Sequence, residues 1–143
     1  MLFRSAPKAE AKGIALLVEC PREMYVDANP PLLEQAVVNL LDNAVKYSAD
    51  GTTVRVTAVP DGDEVVIAVS DEGQGVSREH LPRLFERFYR VDKARSRDLG
   101  GTGLGLSIVK HVTQVHGGRV SVDSVVGRGS TFRIHLPRRH PAS

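Results

Sequence analysis

Tryptophan is missing from this sequence of 143 residues, and cysteine occurs once, at Cys20. A lone thiol excludes an internal disulfide and any multi-cysteine zinc site, and it fits a reducing compartment; it reads as a buried or edge thiol. Aromatic residues are only 5% of the chain, so few rings are on hand to stack on nucleic-acid bases. Long apolar runs are also missing. Runs such as residues 14–18 fall far short of the roughly 18 residues that cross a bilayer, and no charged-then-apolar-then-small pattern opens the chain. Neither sign dominates the charge: 19 Lys and Arg stand against 17 Asp and Glu, a net +2 that gives no electrostatic argument for nucleic acid. Basic residues do cluster at Arg83, Arg87, Arg90, Lys93, Arg95 and Arg97, and again at Arg138 and Arg139, as on a solvated face. What is present is ordinary globular material, 41% hydrophobic and 25% charged, and long enough to bury about two thirds of its unfolded surface.

Residues 1–12 are rich in Ala, Lys and Pro without a sustained period and read as a tail or linker remnant. The apolar run 14–20, bounded by Gly13 and Pro21, predicts a strand. Turn residues at 27–31 then lead into a helix over 32–47, where Leu33, Val37, Leu40, Leu41 and Ala44 recur at helical spacing. Alternation over 53–59 and a β-branched run over 64–70 predict two antiparallel strands turning at 60–63. Leu81, Leu84, Phe85 and Phe88 predict a short amphipathic helix over 78–88, followed by a polar, basic, glycine-ended loop over 91–103. A helix over 104–116 stops at Gly117 and Gly118, and strands over 119–126 and 130–136 close the fold. Strand hairpins on either side of helices fit a two-layer α/β sandwich with a mixed, mostly antiparallel sheet, covered by helices on one face, within a single domain over 13–137 and a short tail over 138–143.

Three glycine clusters, at 71–75, 100–105 and 127–129, are each consistent with a plain turn or with close approach of backbone to a ligand. None has the G-x-G-x-x-G dinucleotide spacing, and none is followed by the Lys-Ser/Thr of a P-loop. The middle cluster enters a helix, where exposed N–H groups and the positive helix end suit phosphate. Asp71 closes a strand beside Gly73 and Gly75; it is either a turn residue or a carboxylate that accepts from an amine, for which a purine amino group is apt. Asn39, Asn43, Lys46 and Tyr47 share one face of the long helix, with Asp42 near its edge. Two asparagines are an odd choice for a mere polar stripe, while amide oxygens suit Mg²⁺ and lysine suits phosphate. His80, His111, His116, His135 and His140 form no metal-ligand or nucleophile pattern and read as structural or surface residues.

In order, these stretches resemble the catalytic and ATP-binding domain of bacterial sensor histidine kinases, of the superfamily that also holds gyrase B, Hsp90 and MutL ATPases (the Bergerat fold). Residues 39–48 resemble its N box, 71–75 its first glycine box, 84–92 its F box, 101–106 its second glycine box and 127–132 its last. The resemblance implies that Asp71 binds the adenine amino group, Asn43 holds Mg²⁺, and Asn39, Lys46, Tyr47 and Arg90 surround phosphates and ribose. Asn39, Lys46 and Arg90 would then act in catalysis. Gly73, Gly75, Gly101, Thr102, Gly103, Leu104, Gly105, Leu106 and Thr131, from the glycine boxes, would contact ATP or ADP. Residues 91–102 would form an ATP lid, anchored by the F-box aromatics, which would also present a docking surface for the partner helix.

The chemistry so implied is transfer of the γ-phosphoryl group of ATP to a histidine. No histidine here has the family's phosphoacceptor setting, so the chain reads as a fragment. Its acceptor would lie on a separate dimerisation domain, and a response regulator would be served indirectly. The isolated domain is expected to be a monomer, the intact kinase a homodimer, and the location the cytoplasmic side of a bacterial membrane-bound sensor. Two alternatives remain at this level: an anti-sigma-type serine kinase or related ATPase, and a nucleotide-binding module without catalysis.

Overall fold

The computed structural model describes residues 6–20, 23–87, 89 and 105–139. Along them run α1 (Ala6–Ala11), β1 (Ala15–Glu19), α2 (Pro30–Tyr47), β2 (Thr53–Asp61), β3 (Glu64–Asp71), a 3₁₀ turn at Leu81–Arg83, α3 (Gly105–Val115), β4 (Arg119–Val125) and β5 (Gly129–Pro137). The long helix starts where its sequence says it should. Asn29 caps it, its side chain accepting from the Leu32 N–H at 3.2 Å, and prolines fill the first positions, where no N–H is needed.

One five-stranded sheet has the order β1-β2-β3-β5-β4, with β1 parallel to β2 and every other pairing antiparallel. Register aligns the apolar alternates across it: Leu16 opposite Val54, Val56 opposite Val69, Val69 opposite Phe132, and Phe132 opposite Val122. These residues share one face with Ile67, Ile134 and Val120, and α2 and α3 pack there around buried Leu40, Leu41, Val45 and Val109. The other face carries cross-strand ion pairs, Arg55 with Glu19, Arg119 with Glu64 and Arg133 with Asp123, as a solvated sheet face does. The two-layer sandwich with a mixed sheet is therefore the observed fold. Pro60 is tolerated inside β2 because β1 pairs only as far as Thr57, leaving that end of β2 with a neighbour on one side. Cys20 is exposed, just beyond edge strand β1. No helix among the described residues is long and apolar enough to cross a membrane.

Two stretches differ from the sequence expectation. Between residues 78 and 87 there is no α-helix but a succession of i→i−3 turns, with His80 N–H on Ser77, Arg83 on His80 and Glu86 on Arg83. Pro82 has no N–H to give, and its ring opposes a helix running through residue 78, so the expected span of 78–88 cannot form one regular helix from its start. The apolar pattern still acts, since Leu84 is buried and the Phe85 and Phe132 rings form a T-shaped pair at a centroid distance of 6.1 Å. Phe88 lies outside the described residues.

The second difference is at the N-terminal end, where residues 6–11, within the stretch read as a tail or linker remnant, form α1. Ala9 is 2% exposed, and its carbonyl accepts from the Ile14 N–H at 2.8 Å. Lys12, in the same connection, donates from Nζ to the carbonyls of Val45 at 2.9 Å, Lys46 at 3.3 Å and Ser48 at 2.8 Å. These are carbonyls at the end of α2, where the helix dipole is negative, so one ammonium satisfies three acceptors and complements that charge. Lys12→Met keeps the stem and removes the donors. It is expected to cost about 1–3 kcal/mol, read as a fall of several degrees in the thermal midpoint, with Lys12→Arg restoring part of it. An unchanged midpoint would show that this cap is not needed.

Candidate functional site

Asp71 ends β3, and its carboxylate is held from two sides. Oδ1 accepts from the Gly73 N–H at 2.9 Å, in the loop that follows, and from the Ser130 N–H at 3.3 Å, at the start of β5. Burial pushes this carboxyl above its ordinary value, and the two N–H bonds pull against that push without cancelling it. A half-buried carboxylate with one oxygen fixed in this way presents the other to a hydrogen-bond donor.

The glycines around it make close approaches that side chains would prevent. A Cβ on Gly73 would lie 2.2 Å from the Tyr47 carbonyl oxygen, and one on Gly75, whose φ is +74°, would lie 2.3 Å from that of Val125. Gly73 also bridges Ser48, so the loop after β3 is stitched to the end of α2. On its far side the Gly127 N–H donates to the Gln74 carbonyl at 2.8 Å, and the Val76 N–H to Ser124 Oγ at 2.7 Å. Glu72 does not face this site: its carboxylate accepts from the Thr53 N–H at 2.8 Å.

The polar face of α2 leads away from that loop. Tyr47, Lys46 and Asn43 are half-buried along it, and Asn39, 8% exposed, reaches the Gly105 carbonyl at the start of α3 with its Nδ2 at 3.4 Å. From Asn39 to Tyr47 the helix advances about 12 Å. One end of this strip meets the Asp71 loop and the other the N-terminus of α3. Among the described residues no group of three His, Cys, Asp or Glu side chains is gathered as a metal cage. An amide oxygen such as that of Asn43 suits a Mg²⁺ ion that keeps its waters and enters with phosphates.

The structure thus brings together Asn39, Asn43, Lys46, Tyr47, Asp71, Gly73, Gly75 and Gly105. Leu106 packs partly buried against the core, which leaves its backbone as the part near α3's entry. Thr131 lies elsewhere: its hydroxyl meets that of Ser70 at 3.0 Å on the opposite face of the sheet. Ser130 takes the place beside Asp71, directly across from it in register. Strand parity carried that signal, because Phe132, Ile134 and Leu136 face the core and Ser130 continues their alternation. No motif marks Ser124, whose hydroxyl also lies beside Ser130 at 2.8 Å. Arg90, Gly101, Thr102, Gly103 and Leu104, with the lid expected over 91–102, lie outside the described residues.

The histidines have local partners. His116 Nε2 accepts from the Asn29 N–H at 2.9 Å while Nδ1 faces the Val112 carbonyl, and His135 Nε2 meets Ser121 Oγ at 2.8 Å. His80 Nδ1 pairs with the Tyr89 hydroxyl, over whose ring Arg83 sits at 4.4 Å from the centroid. His111 is exposed, and His140 lies outside the described residues.

Comparison with known proteins agrees with this geometry. The model of the family described as histidine kinase-, DNA gyrase B- and HSP90-like ATPases matches residues 28–140. The sensor-like histidine kinase SenX3 of Mycolicibacterium smegmatis is 44% identical over 129 residues, which cover 90% of this chain and 34% of SenX3. The chain therefore spans about a third of that relative's length. Among solved structures, the mycobacterial sensor histidine kinase MprB superposes with a TM-score of 0.81 at 33% identity, covering 93% of this chain and 90% of that one. Full-length ShkA in complex with AMPPNP gives a TM-score of 0.83 at 32% identity, over 97% of this chain and 28% of that one. With the matched model spanning the polar helix, the Asp71 loop and the β4–β5 hairpin alike, this chain belongs to the histidine kinase-, DNA gyrase B- and HSP90-like ATPases.

Proposed function

We propose that this chain is the ATP-binding catalytic domain of a sensor histidine kinase. It holds Mg-ATP along the polar face of α2 and delivers the γ-phosphoryl group to a histidine nitrogen on a separate dimerisation domain, the first step of a two-component relay on the cytoplasmic side of a bacterial membrane. The observation that carries this reading is the Asp71 carboxylate, fixed by two backbone N–H groups at one end of a helix face bearing Asn39, Asn43, Lys46 and Tyr47. Asp71 accepts from the adenine amine. Lys46 offsets phosphate charge, Asn39 braces the start of α3, and the N–H groups there face the phosphates. Mg²⁺, held through the Asn43 amide oxygen, supplies neutralisation of charge on the phosphate oxygens. Arg90 and the second glycine box complete the phosphate end by resemblance.

The attacking histidine nitrogen forms the new P–N bond while the bond from phosphorus to the ADP oxygen breaks, so catalysis here is positioning and charge stabilisation. The test supplies a two-helix phosphoacceptor domain and γ-labelled ATP. Labelling of the acceptor that is stable in base and labile in acid is the expected result, and acid-stable label on serine would favour the serine-kinase alternative. Asn43→Ala is expected to lower transfer by about a hundredfold or more, roughly 3 kcal/mol of transition-state stabilisation, while leaving Mg²⁺-free ADP binding intact. Wild-type transfer rates in Asn43→Ala would remove the metal role from that residue.

A further inference from the structure

The best-connected hydroxyl at the site belongs to Ser124, on β4, outside every motif stretch. Its Oγ accepts from the Val76 N–H at 2.7 Å, lies 2.8 Å from Ser130 Oγ, and donates to the Gly129 carbonyl at 3.1 Å. With its single proton given to Gly129, Ser124 takes the Ser130 O–H as a second incoming donor, and all its hydrogen-bonding positions are in use. These partners fall on two separate segments. Val76 ends the loop after β3, and Gly129 and Ser130 open β5. The same two segments supply the two N–H groups on Asp71 Oδ1, Gly73 from the loop and Ser130 from the hairpin. Ser124 therefore ties together the two arms that aim the carboxylate, while the missing side chains of Gly75 and Gly129 allow them to approach so closely.

We propose that Ser124 is a positioning residue for Asp71 and, through it, sets the preference for adenine over guanine. This rests on the reading of Asp71 as the adenine acceptor. A carboxylate oxygen welcomes the adenine amine, whereas guanine presents a carbonyl at the same edge, so discrimination depends on how well that oxygen is aimed. The phosphate contacts of α2 and α3 do not pass through Ser124. Its loss weakens base reading and spares phosphate binding.

The test measures ADP and GDP affinities by competition against a fluorescent ADP analogue, for wild type, Ser124→Ala, Ser124→Thr and Asp71→Asn, with thermal midpoints alongside. Ser124→Ala is expected to weaken ADP about tenfold with GDP little changed, and Ser124→Thr, which keeps the hydroxyl, to stay within about threefold of wild type. Equal weakening of both nucleotides, or of neither, overturns the proposal, as does a Ser124→Thr variant impaired as much as Ser124→Ala, since shape and not the hydroxyl would then matter. If Ser124→Ala does not fold, Ser124→Cys keeps the volume with a weak hydrogen-bonding group and must fall between wild type and Asp71→Asn in adenine preference; a wild-type preference there overturns it equally. Loss of preference in Asp71→Asn with an unaffected Ser124→Ala would sink this inference alone. Wild-type preference in Asp71→Asn would take both readings down.

Discussion

Replacing Asp71 with asparagine is expected to weaken ADP and ATP binding by about a hundredfold while leaving the domain folded. The amide oxygen of asparagine still accepts from the Gly73 and Ser130 N–H groups, so the loop keeps its anchor. The other position changes from acceptor to NH₂ donor, which then faces the donating amine of adenine. Losing a charge-assisted hydrogen bond and opposing two donors is worth about 3 kcal/mol, or roughly a hundredfold. Folding stability should move the other way. The folded-state value of this carboxyl is raised above 3.8, so burial of its charged form disfavours folding once pH rises through the interval between 3.8 and the raised value. At neutral pH Asp71→Asn is therefore expected to be at least as stable as wild type, with the difference vanishing as pH falls below that interval. For binding, the ratio of wild-type to Asp71→Asn affinity should decline on acidification from a higher pH than an ordinary aspartate would give. Chemical denaturation and titration at several pH values read both effects, and a mutant that binds like wild type would remove Asp71 from base recognition.

Adding one methyl group at Gly73 should be nearly as damaging, by a different route. The new Cβ would fall 2.2 Å from the Tyr47 carbonyl oxygen and 3.0 Å from Asp71 Oδ1 itself. The first obstacle is helix backbone, which cannot swing aside, so the loop must move and carry the Gly73 N–H off the carboxylate. Gly73→Ala is expected to lower ADP affinity by at least tenfold and to cost about 1–3 kcal/mol of stability, the range for overpacking. Gly51, where a Cβ would meet nothing within 4 Å, is a control for substitution as such, though its φ of +75° carries its own strain. Near-normal binding in Gly73→Ala would mean that the loop adapts and that its close approach to α2 is incidental.

Much of this arrangement was legible in the sequence because its signals are local. Apolar spacing and a proline-led start mark α2, alternation marks β2, β4 and β5, a β-branched run marks β3, and the family resemblance gathers Asp71, Asn39 and Asn43 into one expected site. The rest was not legible for reasons that differ from place to place. Lys12 looks like any lysine in a polar stretch until the chain folds it onto carbonyls more than thirty residues away. Residues 78–87 have a helical apolar pattern, yet they fold into consecutive tight turns around Pro82. Thr131 and Ser130 differ only in parity, and a one-residue shift along a strand moves a side chain to the other face. Here motif resemblance favoured one hydroxyl while the pleat presents its neighbour to Asp71.

The most direct test of the whole account is calorimetric titration of the wild-type domain with ATP and ADP, each with and without Mg²⁺. One nucleotide per chain is expected, with tighter binding of ATP when Mg²⁺ is present and a Mg²⁺ dependence that disappears in Asn43→Ala while adenine preference persists. A folded wild-type domain that takes up neither nucleotide would contradict it, and would leave the polar face of α2 and the Asp71 loop as a framework without a ligand.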